Sequence, residues 1–236
     1  MALPKINSTP EYEVKIPSTG KTVKFRPFLV KEQKVLLIAL ESKDQKQVIN
    51  SINSTIVSCV KDKIDLNSLT TYDTEYLFTQ IRAKSVGEKT TVNINCKECN
   101  TPNEIEINFD DIKVAEGKSS EKIVKINDNY SIKLKYPTYQ KLNSYTVHET
   151  ATQTEQLIES VIACLDSLQS SDEIILFKDE PREEIQEFID NLSASHLNEI
   201  IQFITNIPTL TYDVEFKCEH CSADNKITLK GLADFF

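Results

Sequence analysis

Two stretches of this chain align residue for residue. Residues 92 to 107 read VNINCKECNTPNEIEI, and residues 214 to 229 read VEFKCEHCSADNKITL. Cys96 and Cys99 fall on Cys218 and Cys221 at a shift of 218 − 96 = 122. Val92, Ile94, Asn103, Ile105 and Ile107 fall on Val214, Phe216, Asn225, Ile227 and Leu229 at the same shift, without a gap. Each stretch alternates apolar and polar residues on both sides of its CxxC turn, the period of a half-buried β-hairpin. Such a turn aims both sulfurs at one point, and a tetrahedral zinc ion takes four. One turn is half a site, so the pattern asks two hairpins far apart in the chain to meet. A site of Cys96, Cys99, Cys218 and Cys221 leaves no coordination position open. Its expected zinc, one per chain, is structural and not catalytic.

A second match lies upstream. VKIPSTGKTVKFRP (14–27) resembles VKINDNYSIKLKYP (124–137) at a shift of 137 − 27 = 110. Both read as hairpins, with Val14 and Ile16 against Val23 and Phe25, and Val124 and Ile126 against Ile132 and Leu134. Each ends at a proline, which lacks a backbone donor and suits a strand end. Between the hairpins each half turns helical. Val48, Ile49, Ile52, Ile56 and Val60 share one helical face, as do Leu157, Ile158, Val161, Ile162, Leu165 and Leu168. Further helices are expected over TYDTEYLFTQIRAKSVGE, PREEIQEFIDNL and SHLNEIIQFITNI, with Pro181 at a helix start. The expected fold is α+β: an internally duplicated unit of β-hairpin, helices and CxxC hairpin, with pseudo-twofold symmetry and a zinc-ribbon-like centre. The first repeat spans 1–115 and the second 116–236, joined near KVAEGKSSEK. A longer helical insert in the second repeat accounts for the shift growing from 110 to 122.

The chain has six cysteines. The N-terminus lacks a basic stretch followed by an apolar core, so a reducing compartment is expected, which favours metal over disulfides for the paired cysteines. Two local disulfides, reduced thiols left from an ancestral site, or a site completed by another subunit remain alternatives. A thioredoxin-like motif does not fit, because that CxxC opens a helix and here a strand follows. Cys59 and Cys164 occupy comparable positions in the two middle helices and read as small buried apolar residues. His220, inside the second turn, could replace a cysteine as a ligand, but the first turn has Glu98 at that place, so it reads as exposed or secondary to the thiols.

Other chemistry is thin. The remaining histidines, His148 and His196, stand beside no recognisable nucleophile, and no Walker loop, GxSxG or HExxH appears. The net charge of −9 repels phosphate backbones, so nucleic-acid binding is not expected. No apolar run is long enough to span a bilayer, so no membrane partner is expected. EPREEIQE reads as a solvated helix face, and KTVKFRPFLVKEQK as a strand and turn with Lys outside and Phe inside.

At GKTVKFRPFLVKEQKVLLIALES, with IRAKSVGE and CKEC downstream, the chain resembles a family of baseplate proteins from T4-like contractile-tailed phages, hub subunits or hub-assembly proteins. The pattern runs from an N-terminal LP segment to the CxxC strands. The resemblance implies a non-enzymatic protein of the phage tail, made in the host cytoplasm, acting in baseplate assembly and either retained in the virion or not. Its implied partners are other baseplate and tail proteins, with homo-oligomers left open. It brings no catalytic residues. A zinc-ribbon nucleic-acid-binding or transcription-associated protein is the alternative from another class, and it requires a basic face. An enzyme requires a polar pocket of perturbed groups, for which the residues offer no candidate.

Overall fold

The computed structural model describes residues 9–114, 120–138, 141 and 152–235. In chain order the elements are β1 (Tyr12–Lys15), β2 (Thr22–Phe25), α1 (Val30–Ser42), α2 (Gln45–Cys59), α3 (Thr71–Val86), β3 (Lys89–Asn95), β4 (Pro102–Asn108) and β5 (Lys113–Val114). They continue as β6 (Glu121–Lys125), β7 (Ser131–Lys135), α4 (Gln153–Cys164), β8 (Leu165–Gln169), β9 (Ile174–Leu176), α5 (Arg182–Asp190), α6 (Ala194–Thr205), β10 (Leu210–Lys217) and β11 (Asp224–Lys230). The protein is thus mixed α+β, with small antiparallel sheets. Contacts divide it into two compact units. One holds Met1–Leu66, Tyr72–Ala115 and Thr209–Phe236; the other holds Asn67–Thr71 and Glu116–Pro208. The second CxxC hairpin therefore groups with the first. The LP segment and residues 115–119 of the joint near KVAEGKSSEK lie outside the described residues.

In the first unit, β1 and β2 pair so that Val14 faces Val23 and Tyr12 faces Phe25. Val14, Val23 and Phe25 are buried, while the lysines between them point to water, as the period of two requires. The chain leaves β2 through Arg26, whose guanidinium donates to the Ser58 carbonyl and to Glu32 at 2.9 Å. Burial alone would raise the Glu32 pKa, but Arg26 and the Leu29 N–H hold it below the usual carboxylate value. Asp44 caps α2, accepting from the Lys46 N–H at 2.8 Å. Cys59 ends that helix, and Val60 returns to bridge Phe25. The CxxC hairpins, β3–β4 and β10–β11, follow α3 and α6 respectively, and β5 pairs with β10.

In the second unit, β6 to β9 form a four-stranded sheet in sequence order. Val124, Ile132, Leu134 and Leu165 are fully buried on it. Each such side chain contributes roughly 1.5–3 kcal/mol on removal from water. Helix α6 packs on β6 and on α4, and Tyr136 stacks on Phe203 at 4.9 Å. Thr152 and Glu155 cap α4 reciprocally.

Three expectations are corrected here. Leu165 and Leu168 do not continue the helical face of α4. They lie in β8, opposite Leu134 and Ile132, because pairing with β7 satisfies their backbone and buries Leu165 on the sheet. The upstream hairpins do not keep the single shift of 110. The β1–β2 turn spans residues 16–21 and the β6–β7 turn spans 126–130, one residue fewer. Val14 and Val124 correspond at 110, but their partners Val23 and Ile132 correspond at 109. Finally, the extra length of the second half is not wholly helical, since it includes β8 and β9.

Candidate metal centre

The first CxxC turn joins β3 to β4. The Cys96 N–H donates to the Thr101 carbonyl at 2.9 Å, and the Asn100 N–H donates to the Cys96 carbonyl at 2.9 Å. In the second turn the Cys218 N–H donates to Ala223 and the Ser222 N–H to Cys218, both at 2.9 Å. Asn100 and Ser222 occupy the left-handed region, with φ of 56° and 59°. This conformation is uncommon outside glycine and admits short polar residues best. Each turn residue has its counterpart 122 positions on: 96 and 218, 100 and 222, 101 and 223.

The same alternation that fills the core aims the thiols. Residues two apart on a strand share a face, so Cys96 lies beside buried Ile94, and Cys218 beside half-buried Phe216. One apolar cluster draws on both hairpins. It contains Ile94, Ile107, Val214 and Leu229, with Phe109, Leu210 and Phe235 buried among them. The hairpins are thereby held against each other on the side next to the cysteines.

The structure brings Cys96, Cys99, Cys218 and Cys221 together, with all four sulfurs within 4.8 Å of one another. Across the hairpins, the Cys96 and Cys221 sulfurs are 3.7 Å apart and the Cys99 and Cys218 sulfurs 3.6 Å. A tetrahedral zinc with bonds of about 2.3 Å places its sulfurs about 3.8 Å apart. Both cross-hairpin pairs stand near that spacing, and a cluster of four thiols this tight fits such an ion. Cys96 and Cys218 are buried, Cys99 is half-buried and Cys221 is exposed.

The electrostatics also call for a cation. The Cys99 N–H, helped by Asn225 and the Glu98 N–H against the effect of burial, brings the Cys96 thiol down to about 6. Cys218 is lowered in the same way, chiefly by the Cys221 N–H and then by that of His220. For Cys221 the Ala223 backbone lowers the pKa, but the neighbouring thiols and burial outweigh it and push Cys221 up to about 12. Thiols lowered at Cys96 and Cys218 and raised at Cys221 stand in one cluster, where a central metal ion relieves the repulsion between neighbouring thiolates. By contrast, burial pushes Cys59 up to about 11 and Cys164 to about 12, leaving them inert thiols at neutral pH.

Two asparagines join the turns. Asn103 accepts from the Glu219 N–H and Asn225 accepts from the Lys97 N–H, each at 3.0 Å. Both side chains are 4% exposed. Their matching positions were legible in the sequence, but their role was not, since hairpin periodicity says nothing of bonds between hairpins. His220 and Glu98 are exposed on the turns, His196 lies in α6, and His148 falls outside the described residues.

A family model described as T4 bacteriophage base plate protein matches residues 9–236. The chain belongs to this family. No curated protein and no solved structure matches it. Membership makes it a structural protein of the phage baseplate, a component of the virion tail whose partners are other tail and baseplate proteins. Among the described residues of this baseplate protein, no helix is long and apolar enough to cross a membrane.

Proposed function

We propose that this baseplate protein is a non-enzymatic structural or assembly component of the hub region, clamped by one structural zinc on Cys96, Cys99, Cys218 and Cys221. The observation that carries the reading is the convergence of four thiols from two hairpins, with the cross-hairpin pairs near the spacing of a tetrahedral ion, in a chain of the baseplate family. Four soft thiolates suit zinc among the common divalent metals. They leave no position for a substrate, which makes the ion a cross-link. Because only the folded chain brings the sulfurs together, metal binding adds to folding stability. The role in assembly follows from rigidity: a fixed pair of hairpins presents its outer faces to neighbouring tail proteins at one angle. Such a protein is made in the host cytoplasm and carried into the tail.

The chain also reads as a duplicated unit, 1–115 and 116–236, with a pseudo-twofold relation between its CxxC hairpins. Three observations support this. The turn hydrogen bonds repeat at 122, and the two asparagines exchange bonds reciprocally. Cys59 and Cys164 each end a helix whose next residue meets the upstream hairpin, Val60 at Phe25 and Leu165 at Leu134.

The test is co-purification from phage-infected cells. Wild-type protein is expected to bring down other baseplate proteins, and Cys218→Ser to lose them. If Cys218→Ser assembles as well as wild type, the zinc clamp has no part in assembly.

A further inference from the structure

Several backbone donors of the two turns close on their own turn. In the first turn the Glu98 and Cys99 N–H groups face the Cys96 sulfur, and the Asn100 N–H goes to the Cys96 carbonyl. In the second turn the His220 and Cys221 N–H groups face Cys218, and the Ser222 N–H goes to the Cys218 carbonyl. The Lys97 and Glu219 N–H groups behave differently. Neither finds a partner in its own hairpin. Each is taken by the side chain of the opposite one, Lys97 by Asn225 and Glu219 by Asn103. The other end of each amide is anchored at home. Asn103 donates to the Thr101 carbonyl at 2.8 Å and Asn225 to the Ala223 carbonyl at 3.0 Å. Asn225 also donates toward the Cys96 sulfur at 3.4 Å.

We propose that Asn103 and Asn225 are positioning residues that dock the two CxxC turns on each other before any metal arrives, so that the four thiols stand preassembled. The chemistry favours this over a passive role. A backbone N–H drawn partly out of water gains from a fixed partner, and among the described residues the acceptors that Lys97 and Glu219 meet lie on the other hairpin. The turns are therefore complete only when paired. Each amide group ties its own turn to the opposing one, and Asn225 ties in a thiol as well. The metal binds a preformed tetrahedron and orders little, which raises its affinity. The effect on the metal rests on reading the four cysteines as a metal site; the docking does not.

The experiment is residue-resolved amide hydrogen exchange on the full-length chain, stripped of metal under reducing conditions, alongside zinc titration. In metal-free wild type the Lys97 and Glu219 amides are expected to be protected. Asn225→Ala is expected to reduce Lys97 protection roughly tenfold or more and leave Glu219 far less affected; Asn103→Ala does the reverse. Asn225→Asp keeps the acceptor and is expected to keep Lys97 protected even if the alanine variant is poorly folded. Zinc affinity is expected to fall about 10–100-fold in either alanine variant. Free exchange of both amides in metal-free wild type overturns the proposal. So does a uniform loss of protection in Asn225→Ala that Asn225→Asp does not restore. Should the wild-type chain take up no zinc, the metal reading fails, and the exchange pattern still decides the docking.

Discussion

The CxxC hairpins and the upstream hairpins start from equally clear sequence matches and end differently. In β3–β4 and β10–β11, the backbone hydrogen bonds that close one turn recur in the other at the same spacing of 122. In β1–β2 and β6–β7, the turns differ by a residue and the second strands slip to a spacing of 109. The first upstream hairpin gains a single bridge to Val60, while the second grows into a four-stranded sheet. The difference lies in what each hairpin must satisfy. An apolar face asks only that Val14 and Val23, or Val124 and Ile132, point the same way, so a turn may shorten provided the alternation is kept. Sulfurs meeting near 3.7 Å tolerate no such slip, because one added residue moves a thiol by about 3.3 Å.

The comparison can be broken most forcefully at the CxxC turn. One glycine inserted between Glu219 and His220, or Cys218→Ser, is expected to abolish metal binding. The melting temperature should drop by roughly 10 °C, as a loss of about 4 kcal/mol implies for a chain of this size. Melts with and without chelator would then coincide. An inserted variant that keeps its metal removes the geometric constraint on which the contrast depends.

A core truncation in the upstream hairpin should be large but different in kind. Ile132 is fully buried, so Ile132→Ala is expected to cost about 2–5 kcal/mol. Metal content per folded chain should stay at the wild-type value, measured by elemental analysis of the monodisperse fraction. Loss of metal in that variant would mean that both hairpin types answer to the same constraint.

The smallest effects sharpen the contrast. One glycine inserted after Asp128 restores the longer turn of β1–β2 and should change stability by less than about 1 kcal/mol, since loop closure grows slowly with length. Glu183→Ala, on the solvent face of α5, should fall within about 0.5 kcal/mol of wild type. Denaturant titration resolves both. A cost from the Asp128 insertion equal to that of the CxxC insertion would erase the distinction.

Much of this was legible in the residues. Alternation marked all four hairpins, and the paired spacing singled out Cys96, Cys99, Cys218 and Cys221, which the fold gathers. The spacing of Leu165 and Leu168 misled, because a gap of three suits a helical face as well as the ends of a short strand. The strand won through its pairing with Ile132 and Leu134, which no local pattern reveals. Similarly, Asn100 and Ser222 stood in view after each CxxC, yet their left-handed backbone follows from the closed turn. Asn103 and Asn225 matched in sequence, while their bonds run between hairpins and so depend on packing.

The central claim is that these two hairpins share one ion. Elemental analysis and native mass spectrometry of the intact chain, purified without chelator, test it most directly. One zinc per chain is expected, with Cys96, Cys99, Cys218 and Cys221 becoming reactive only when the metal is stripped. A folded, metal-free chain with those four thiols reactive from the start would contradict it, as would two metal ions per chain.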